Sequence, residues 1–305
     1  MQSQTNNALA AAIGNDAATA ELRGILEWVD GVGQRFYVSS LTGSSSYNGR
    51  KPTSPKATIA QALALCTAGA GDRIYVLPGH TETVTGAAGI ALSKAGVYII
   101  GLGLGSLRPT INYTTAAAAS VDITAANVWI ENIKFDMTGV DAVTAGINIQ
   151  AADVTLKNLE IEFADSGGQA TLAILTTAAA NRLKIEGCRL FGSADAGTAT
   201  AIRIVGGNDI RILDTVIIGN FTTSLGGIEN NTTACLRLLI AGCTILNNTA
   251  SSTKCIVLDS GTTGAVVRCQ LAILSGTAPI TGAALNVVGQ NYYKAAAGVA
   301  AGTLI

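Results

Sequence analysis

Short runs of alternating apolar and polar residues recur along the chain from about residue 90 onward. Seven of these runs align on one apolar position, at Val97, Val128, Val154, Leu183, Ile210, Leu238 and Val266. The steps between those positions are 31, 26, 29, 27, 28 and 28 residues. A regular period in this range is typical of a solenoid, in which each repeat packs only on its neighbours.

Each repeat shows period-two alternation that breaks phase once and then resumes. Leu183 and Ile185, for example, are followed by Cys188 and Leu190. A third alternating run precedes such pairs, as in "GINIQ" from Gly146. Because strands have period two and no helical period separates the runs, the pattern predicts three short strands per turn. We therefore predict an all-β, right-handed parallel β-helix with three-strand coils and about seven to eight rungs.

The six cysteines are best explained as small core residues of this solenoid. Like residues of successive coils should lie above one another, about 4.8 Å apart. Cys188, Thr215 and Cys243 then share one ladder, so the two cysteines lie two coils apart and cannot form a disulfide. The sequence contains no CxxC pair, and neither a zinc site nor a disulfide framework is indicated. We predict buried free thiols, no metal and no cofactor.

Residues 35–84, before the repeat, have a different pattern. They predict a strand, a loop rich in Gly, Ser and Asn, a helix from about Thr58 to Cys66, and a strand from Arg73 to Leu77. The pattern "YVS…G…NG…P…ATI…AL…GD.IYV.PG" resembles the N-terminal cap and first coil of right-handed pectate-lyase-like β-helix proteins. That resemblance implies that the short helix covers the open end of the solenoid. It is specific for fold and says little about chemistry.

The two ends of the chain depart from the repeat. The predicted organisation is an N-terminal helical arm (1–34), a capping segment with the first coil (35–84), the β-helix (85–290) and a C-terminal tail (291–305). On a solenoid, the arm either folds over the side or docks on a partner. We predict that apolar residues of the arm and the tail bind partners: Leu22, Ile25, Leu26, Val29, Tyr292, Tyr293, Val299, Leu304 and Ile305.

Composition narrows the function classes. The 305-residue chain is 49% hydrophobic and has a formal net charge of −1, with no basic stripe in the sequence, which argues against nucleic acid as a partner. No apolar run reaches membrane-spanning length, and the first ten residues lack the features of a secretory signal. We therefore expect synthesis in the cytoplasm and no membrane partner.

The only histidine, His80, follows the turn at Pro78 and Gly79 that leaves a predicted strand. A general base needs partners within reach, and only Glu82 is near in sequence. We therefore interpret His80 as a turn residue. The sequence "GLGLGS" from Gly101 likewise mimics part of a dinucleotide fingerprint, but no crossover helix follows, so its glycines are interpreted as corners.

Residues for glycan cleavage are sparse. The motifs of pectinase-like hydrolases are absent, and no acidic cluster of the kind used by lyases is evident along the sequence. If the chain is an enzyme, the candidate catalytic residues are Asp141, Asp165 and Asp195, which follow the third strand of successive coils. Solvated loop acids are the alternative interpretation. With few aromatic residues and no long inserted loops to wall a groove, the sequence predicts that the chain is not an enzyme.

The capped start with "GDRIYVLPGHTETV" also looks like that of bacteriophage virion proteins. This resemblance implies a capsid decoration (cement) protein, a homotrimer attached to the major capsid protein at the virion surface and assembled in the host cytoplasm. The alternative is a tailspike or tail fibre that binds or degrades host surface polysaccharide. A stand-alone carbohydrate-active enzyme is a third possibility.

Overall fold

A computed structural model of the chain describes residues 33–192, 198–221, 225–230, 232–250, 254–274, 278–282, 285, 287–289, 291–294 and 303–304. Several residues named above lie outside the described residues: Leu22, Ile25, Leu26, Val29, Asp195, Val299 and Ile305. The backbone of Tyr292, Tyr293 and Leu304 lies in strands. Within the described part of the chain, no helix has the length and apolarity needed to span a membrane.

The described residues form 29 strands, one α-helix and one short 3-10 turn. In chain order they are β1 (Arg35–Val38), α1 (Ile59–Leu65), β2 (Arg73–Val76), β3 (Thr81–Val84), β4 (Ile90–Leu92), β5 (Tyr98–Gly101), the 3-10 turn (Gly105–Leu107), β6 (Thr110–Tyr113), β7 (Val121–Ile123), β8 (Trp129–Glu131), β9 (Lys134–Asp136), β10 (Ile147–Ile149), β11 (Thr155–Lys157), β12 (Glu160–Asp165), β13 (Gly168–Gln169), β14 (Leu172–Thr176), β15 (Lys184–Glu186), β16 (Arg189–Gly192), β17 (Thr200–Arg203), β18 (Arg211–Leu213), β19 (Val216–Gly219), β20 (Ile228–Asn230), β21 (Leu238–Ala241), β22 (Thr244–Asn247), β23 (Ile256–Leu258), β24 (Gly264–Val267), β25 (Gln270–Ile273), β26 (Ile280–Thr281), β27 (Val287–Gly289), β28 (Tyr292–Lys294) and β29 (Thr303–Leu304).

These strands form three sheets, and the chain visits them in rotation. Sheet A has the order β1-β2-β5-β8-β11-β15-β18-β21-β24-β27, and sheet B runs from β3 through β6, β9, β12, β16, β19, β22 and β25 to β28 and β29. Sheet C has the order β4-β7-β10-β14-β17-β20-β23-β26. Neighbours pair in parallel, except that β13 and β29 add antiparallel to β12 and β28. The predicted all-β parallel β-helix is confirmed, and the eight strands of sheet C agree with seven to eight rungs.

Apolar residues fill the space between the three sheets as stacked ladders. In sheet A, one such ladder consists of Ile74, Ile99, Ile130, Leu156, Ile185, Ile212 and Ile240. All of these side chains are buried. Burial of an Ile or Leu side chain stabilises a fold by about 1.5–3 kcal/mol, so the repeated ladder explains why a chain of short strands holds together.

The break in phase seen in the sequence is a tight bend between sheets A and B. Three turns place Asn132, Asn158 and Asp214 there with φ of 57°, 50° and 48°. Asn and Asp tolerate this left-handed backbone better than most residues, and Gly187 and Gly242 occupy the same position in other turns. The bend therefore explains why the alternation resumes with shifted phase.

The predicted cysteine ladder follows directly after this bend. Cys188, Thr215 and Cys243 each precede in-register residues of β16, β19 and β22. All six cysteines are free and buried, as predicted. Burial raises the pKa of the Cys188 thiol to about 11, and that of Cys66 to about 12. These thiols are therefore neutral core groups at physiological pH.

One end of the β-helix is covered by α1, close to the predicted helix. Thr58 is the N-cap, and its hydroxyl accepts a hydrogen bond from the Gln61 N–H. Ile59, Ala62 and Leu63 are buried, and α1 packs against β1, β2 and β4. No further turn stacks on this end of the solenoid, and the helix covers the apolar core there instead.

Candidate functional site

His80 belongs to the cap. Its side chain is fully buried, and Nδ1 accepts a hydrogen bond of 2.9 Å from the backbone N–H of Ser40. The Nε2–H therefore donates to Glu82 Oε2 at 3.2 Å, and the same oxygen accepts from the N–H of Ile59 at 2.9 Å. This network ties the first turn to the start of α1, so the structure supports a structural role for His80.

The predicted edge of acids lies in the loops that follow sheet B. Asp165 Oδ1 accepts hydrogen bonds from the N–H groups of Gly167 (2.6 Å) and Gly168 (3.2 Å), which stabilises the turn between β12 and β13. Asp141 is exposed in the turn after β9, and a side chain on Gly168 would meet the backbone of Val140, so the two loops touch. With Asp195 outside the described residues, a catalytic role for this set stays a prediction.

A denser group of charges lies on the outer face of sheet B. In β9 and β12, the register places Lys134 beside Glu160 and Asp136 beside Glu162. Lys134 Nζ lies 2.7 Å from Glu162 Oε2 and 3.5 Å from Asp136 Oδ2. Arg108 approaches Glu160 Oε2 to 3.3 Å through a terminal guanidinium nitrogen. We call Asp136, Glu160 and Glu162 the carboxylate cluster.

Lys134 is partly buried within this group, with 26% of its side chain exposed. Burial lowers its pKa, but the hydrogen bond and charge of Glu162, together with the charge of Asp136, outweigh burial and raise that pKa overall. Lys134 therefore remains a cation rather than a proton acceptor at neutral pH. Asp136 Oδ1 also accepts a 2.7 Å hydrogen bond from the Thr138 hydroxyl, which fixes its orientation.

The cluster places two glutamates on one face of a strand. Glu160 and Glu162 are two residues apart on β12, so both project outward from sheet B. Inverting glycosidases use two carboxyl groups, one as acid and one as base. Among the described residues, no group of three His, Cys, Asp or Glu is arranged to hold a metal ion.

Neighbouring turns continue the row of outward positions that contains Asp136 and Glu162. Phe191 of β16 lies in register with Glu162, and Asn112 of β6 lies in register with Asp136. These four outward positions follow one another along the axis at about 4.8 Å per turn. An extended chain molecule can therefore contact several turns of sheet B at once.

Aromatic residues gather instead on the outer face of sheet A. The rings of Tyr37 and Tyr75 stack at 5.6 Å between centroids, and those of Tyr98 and Trp129 lie at 6.1 Å. The Arg73 guanidinium lies 5.1 Å from the Tyr98 centroid. Because the ring faces already contact one another or a cation, we interpret this row as stabilising the first turns rather than as a platform for sugars.

Sequence reasoning missed the carboxylate cluster although a signal existed. Lys134 and Asp136 flank the buried Phe135, and Glu160 and Glu162 flank a buried isoleucine. Aligning the outward positions of successive repeats, rather than the apolar ones, brings these four charged residues together. A search confined to loop acids does not.

Known proteins resemble the chain in structure rather than in sequence. No protein-family model matches the chain, and no curated protein matches it. Its structure is similar to a rhamnogalacturonan lyase, with TM-score 0.59 and 12% identity over 79% of this chain and 68% of that one. It also matches a GH136 lacto-N-biosidase from Eubacterium ramulus, with TM-score 0.49 and 14% identity over 92% of this chain and 65% of that one. At 12% identity the lyase likeness shows the fold, and it confirms the pectate-lyase-like β-helix.

The expectation that the chain is not an enzyme is contradicted by the likeness to the rhamnogalacturonan lyase, because that enzyme shares the fold of this chain. That expectation relied on missing motifs and on the absence of an acidic cluster. The register of β9 and β12 removes the second ground, since it gathers three carboxylates on one face. The bacteriophage, capsid and homotrimer expectations stay predictions.

Proposed function

We propose that the chain is a glycan-active enzyme that binds a polysaccharide along the outer face of sheet B and hydrolyses its glycosidic bonds. The observation that supports this most directly is the carboxylate cluster, with its three acids on two adjacent turns and Lys134 between two of them. The fold shared with a rhamnogalacturonan lyase is compatible with the proposal.

The roles within the cluster follow from its contacts. The Lys134 ammonium donates a 2.7 Å hydrogen bond to Glu162, which orients that side chain, and Glu162 is assigned as the base that accepts a proton from the attacking water. Glu160, the other outward glutamate of β12, is assigned as the acid that protonates the leaving sugar oxygen. The bond from the anomeric carbon to that oxygen breaks as the water oxygen bonds to the same carbon.

A finer form of the proposal is a tailspike-type protein that degrades host surface polysaccharide as a homotrimer. It is supported by the resemblance of the first coil to phage virion proteins. In the later turns, the outward residues of sheet B include Val216, Ile218 and Leu246, and apolar rows of this kind are typical of protein contacts. A mass from light scattering equal to three chains is expected, and a monomer would contradict the trimer.

Activity on a panel of neutral and acidic polysaccharides tests the proposal. Hydrolysis releases reducing ends without the ultraviolet absorbance of an unsaturated sugar. We expect Glu160→Gln and Glu162→Gln each to lower the rate at least about 100-fold, because each removes a proton-transfer group. Glu131→Gln is the matched control, since Glu131 is a comparably exposed glutamate on sheet A.

Two outcomes would contradict the assignment. Wild-type rates in both cluster variants would exclude the cluster from catalysis. Unsaturated products would show elimination rather than hydrolysis, and the roles of Glu160 as acid and Glu162 as base would then be wrong.

A further inference from the structure

The outer face of sheet A is basic, although the chain as a whole has a net charge of −1. The outward charged residues of its described strands are five cations and two carboxylates: Arg35, Arg73, Lys157, Lys184, Arg211, Glu131 and Glu186. This stripe is not visible in the sequence because its members lie in different repeats, and only the register of sheet A aligns them.

Four of these cations form two pairs of direct neighbours, Arg35 with Arg73 and Lys184 with Arg211. Lys184 of β15 and Arg211 of β18 occupy the same register position on adjacent strands. Like charges directly opposite one another on a sheet are destabilising. Keeping two cations side by side therefore favours a role that requires positive charge at this position.

Lys184 and Arg211 border a surface depression that is also lined by Asp153, Thr155, Arg182 and Asp209. Both carboxylates in it are already engaged. Asp153 accepts two hydrogen bonds of 2.6 Å from Arg182. Asp209 accepts bonds of 2.6 and 2.7 Å from Arg237, which lies one turn further along.

Because Asp153 and Asp209 are each paired with an arginine, they do not neutralise all the cations that line the depression. Lys184 Nζ lies 2.8 Å from Glu186 Oε2, so its charge is already paired, and Arg211 is the cation that remains for a ligand. Arg211 is exposed and, among the described residues, acts on Asp209 through its charge, which contributes to the lowered pKa of that acid after the hydrogen bond from Arg237. An arginine in this state can bind a carboxylate or sulfate through two parallel hydrogen bonds.

We propose that this depression binds an anionic group of an acidic glycan, a carboxylate or a sulfate, through Arg211 with Lys184 beside it. The inference rests on the proposed function and names the class of substrate. Because the depression lies on a different sheet from the carboxylate cluster, it is a binding subsite that holds a remote part of the glycan. Its loss should weaken binding without changing the chemical step.

Paired probes that differ only in charge test the proposal. Labelled oligogalacturonate is compared with its methyl ester, and dextran sulfate with dextran, by fluorescence anisotropy on the full chain. We expect at least one acidic probe to bind more tightly than its neutral partner. Arg211→Gln should weaken that binding about fivefold, and added salt should reduce the difference. Arg268→Gln, an equal change of charge at an exposed arginine two turns further along, should leave it unchanged.

The result also separates this inference from the proposed function. Equal binding of acidic and neutral partners, or equal losses in the Arg211 and Arg268 variants, would overturn the anion subsite even if the cluster variants lose activity. Tighter binding of single-stranded DNA than of either acidic glycan would overturn it in favour of a nucleic-acid surface. If an acidic glycan is cleaved, Arg211→Gln should raise KM and spare kcat, and a fall in kcat alone would contradict a remote subsite.

Discussion

The early and late turns of the β-helix have the same interior and different exteriors. From β5 to β12, the outward residues include Trp129, Lys134 and Glu162, whereas from β18 to β25 they include Leu213 and Leu246. Inside, both halves stack isoleucine and leucine in register. The interior ladders therefore specify the fold, while the outer positions are free to differ, and the carboxylate cluster lies in the early turns.

The largest effect should come from breaking the interior, and it should be equal in both halves. Ile130→Ala and Ile240→Ala each remove a buried side chain from the same ladder, at a cost of about 2–5 kcal/mol in the free energy of unfolding. Chemical denaturation followed by circular dichroism measures this. Ile218→Ala, on the outer face of a late turn, is the control and should cost less than about 1 kcal/mol. Unequal losses at the two interior sites would contradict a uniform core.

A smaller effect, confined to the early turns, should follow from Lys134→Met. Without the ammonium, the neighbouring carboxylates of Asp136 and Glu162 repel each other, and we expect kcat to fall about tenfold. Lys134→Arg should restore most of the rate, because it keeps a cation beside Glu162. An unchanged kcat in the methionine variant would show that Lys134 does not position the base.

The smallest effect is expected at the corner that both halves share. Arg182 and Arg237 lower the pKa of Asp153 and Asp209 through their hydrogen bonds. A lowered pKa in the folded state stabilises the fold above the ordinary pKa of the acid, near 3.8, and this contribution is lost as pH falls through the folded value. Because these pairs are exposed, Arg237→Gln should shift the melting midpoint only slightly at neutral pH and not at all in strong acid. A shift that grows on acidification would contradict this sign.

The fold was accessible from the sequence because its signals are local. Period-two runs, the phase break at Asn132 and the helix after Thr58 each involve a few adjacent residues whose conformational preferences agree. The candidate site was not accessible in the same way. Asp136 and Glu162 are distant in sequence, and they become neighbours only when the register of β9 against β12 is fixed.

The register of the strands also explains the basic outer face of sheet A, which the composition does not indicate. A net charge of −1 gives no indication of a basic sheet A, since acids elsewhere on the surface balance it. His80 is the converse case, because its position after a turn indicates a structural residue. Its hydrogen bonds to Ser40 and Glu82 depend on how the cap folds back, which no local pattern encodes.

The cap formed by β1 and α1 has a consequence for how the chain acquires its shape. It precedes the stacked turns in the sequence, so the ribosome delivers the sealed end before the rest of the solenoid. Each later turn can then be laid on an existing template as it emerges, since every turn needs only its predecessor to pair with. Because the first end is already capped, the growing chain exposes unpaired strand edges at one end only.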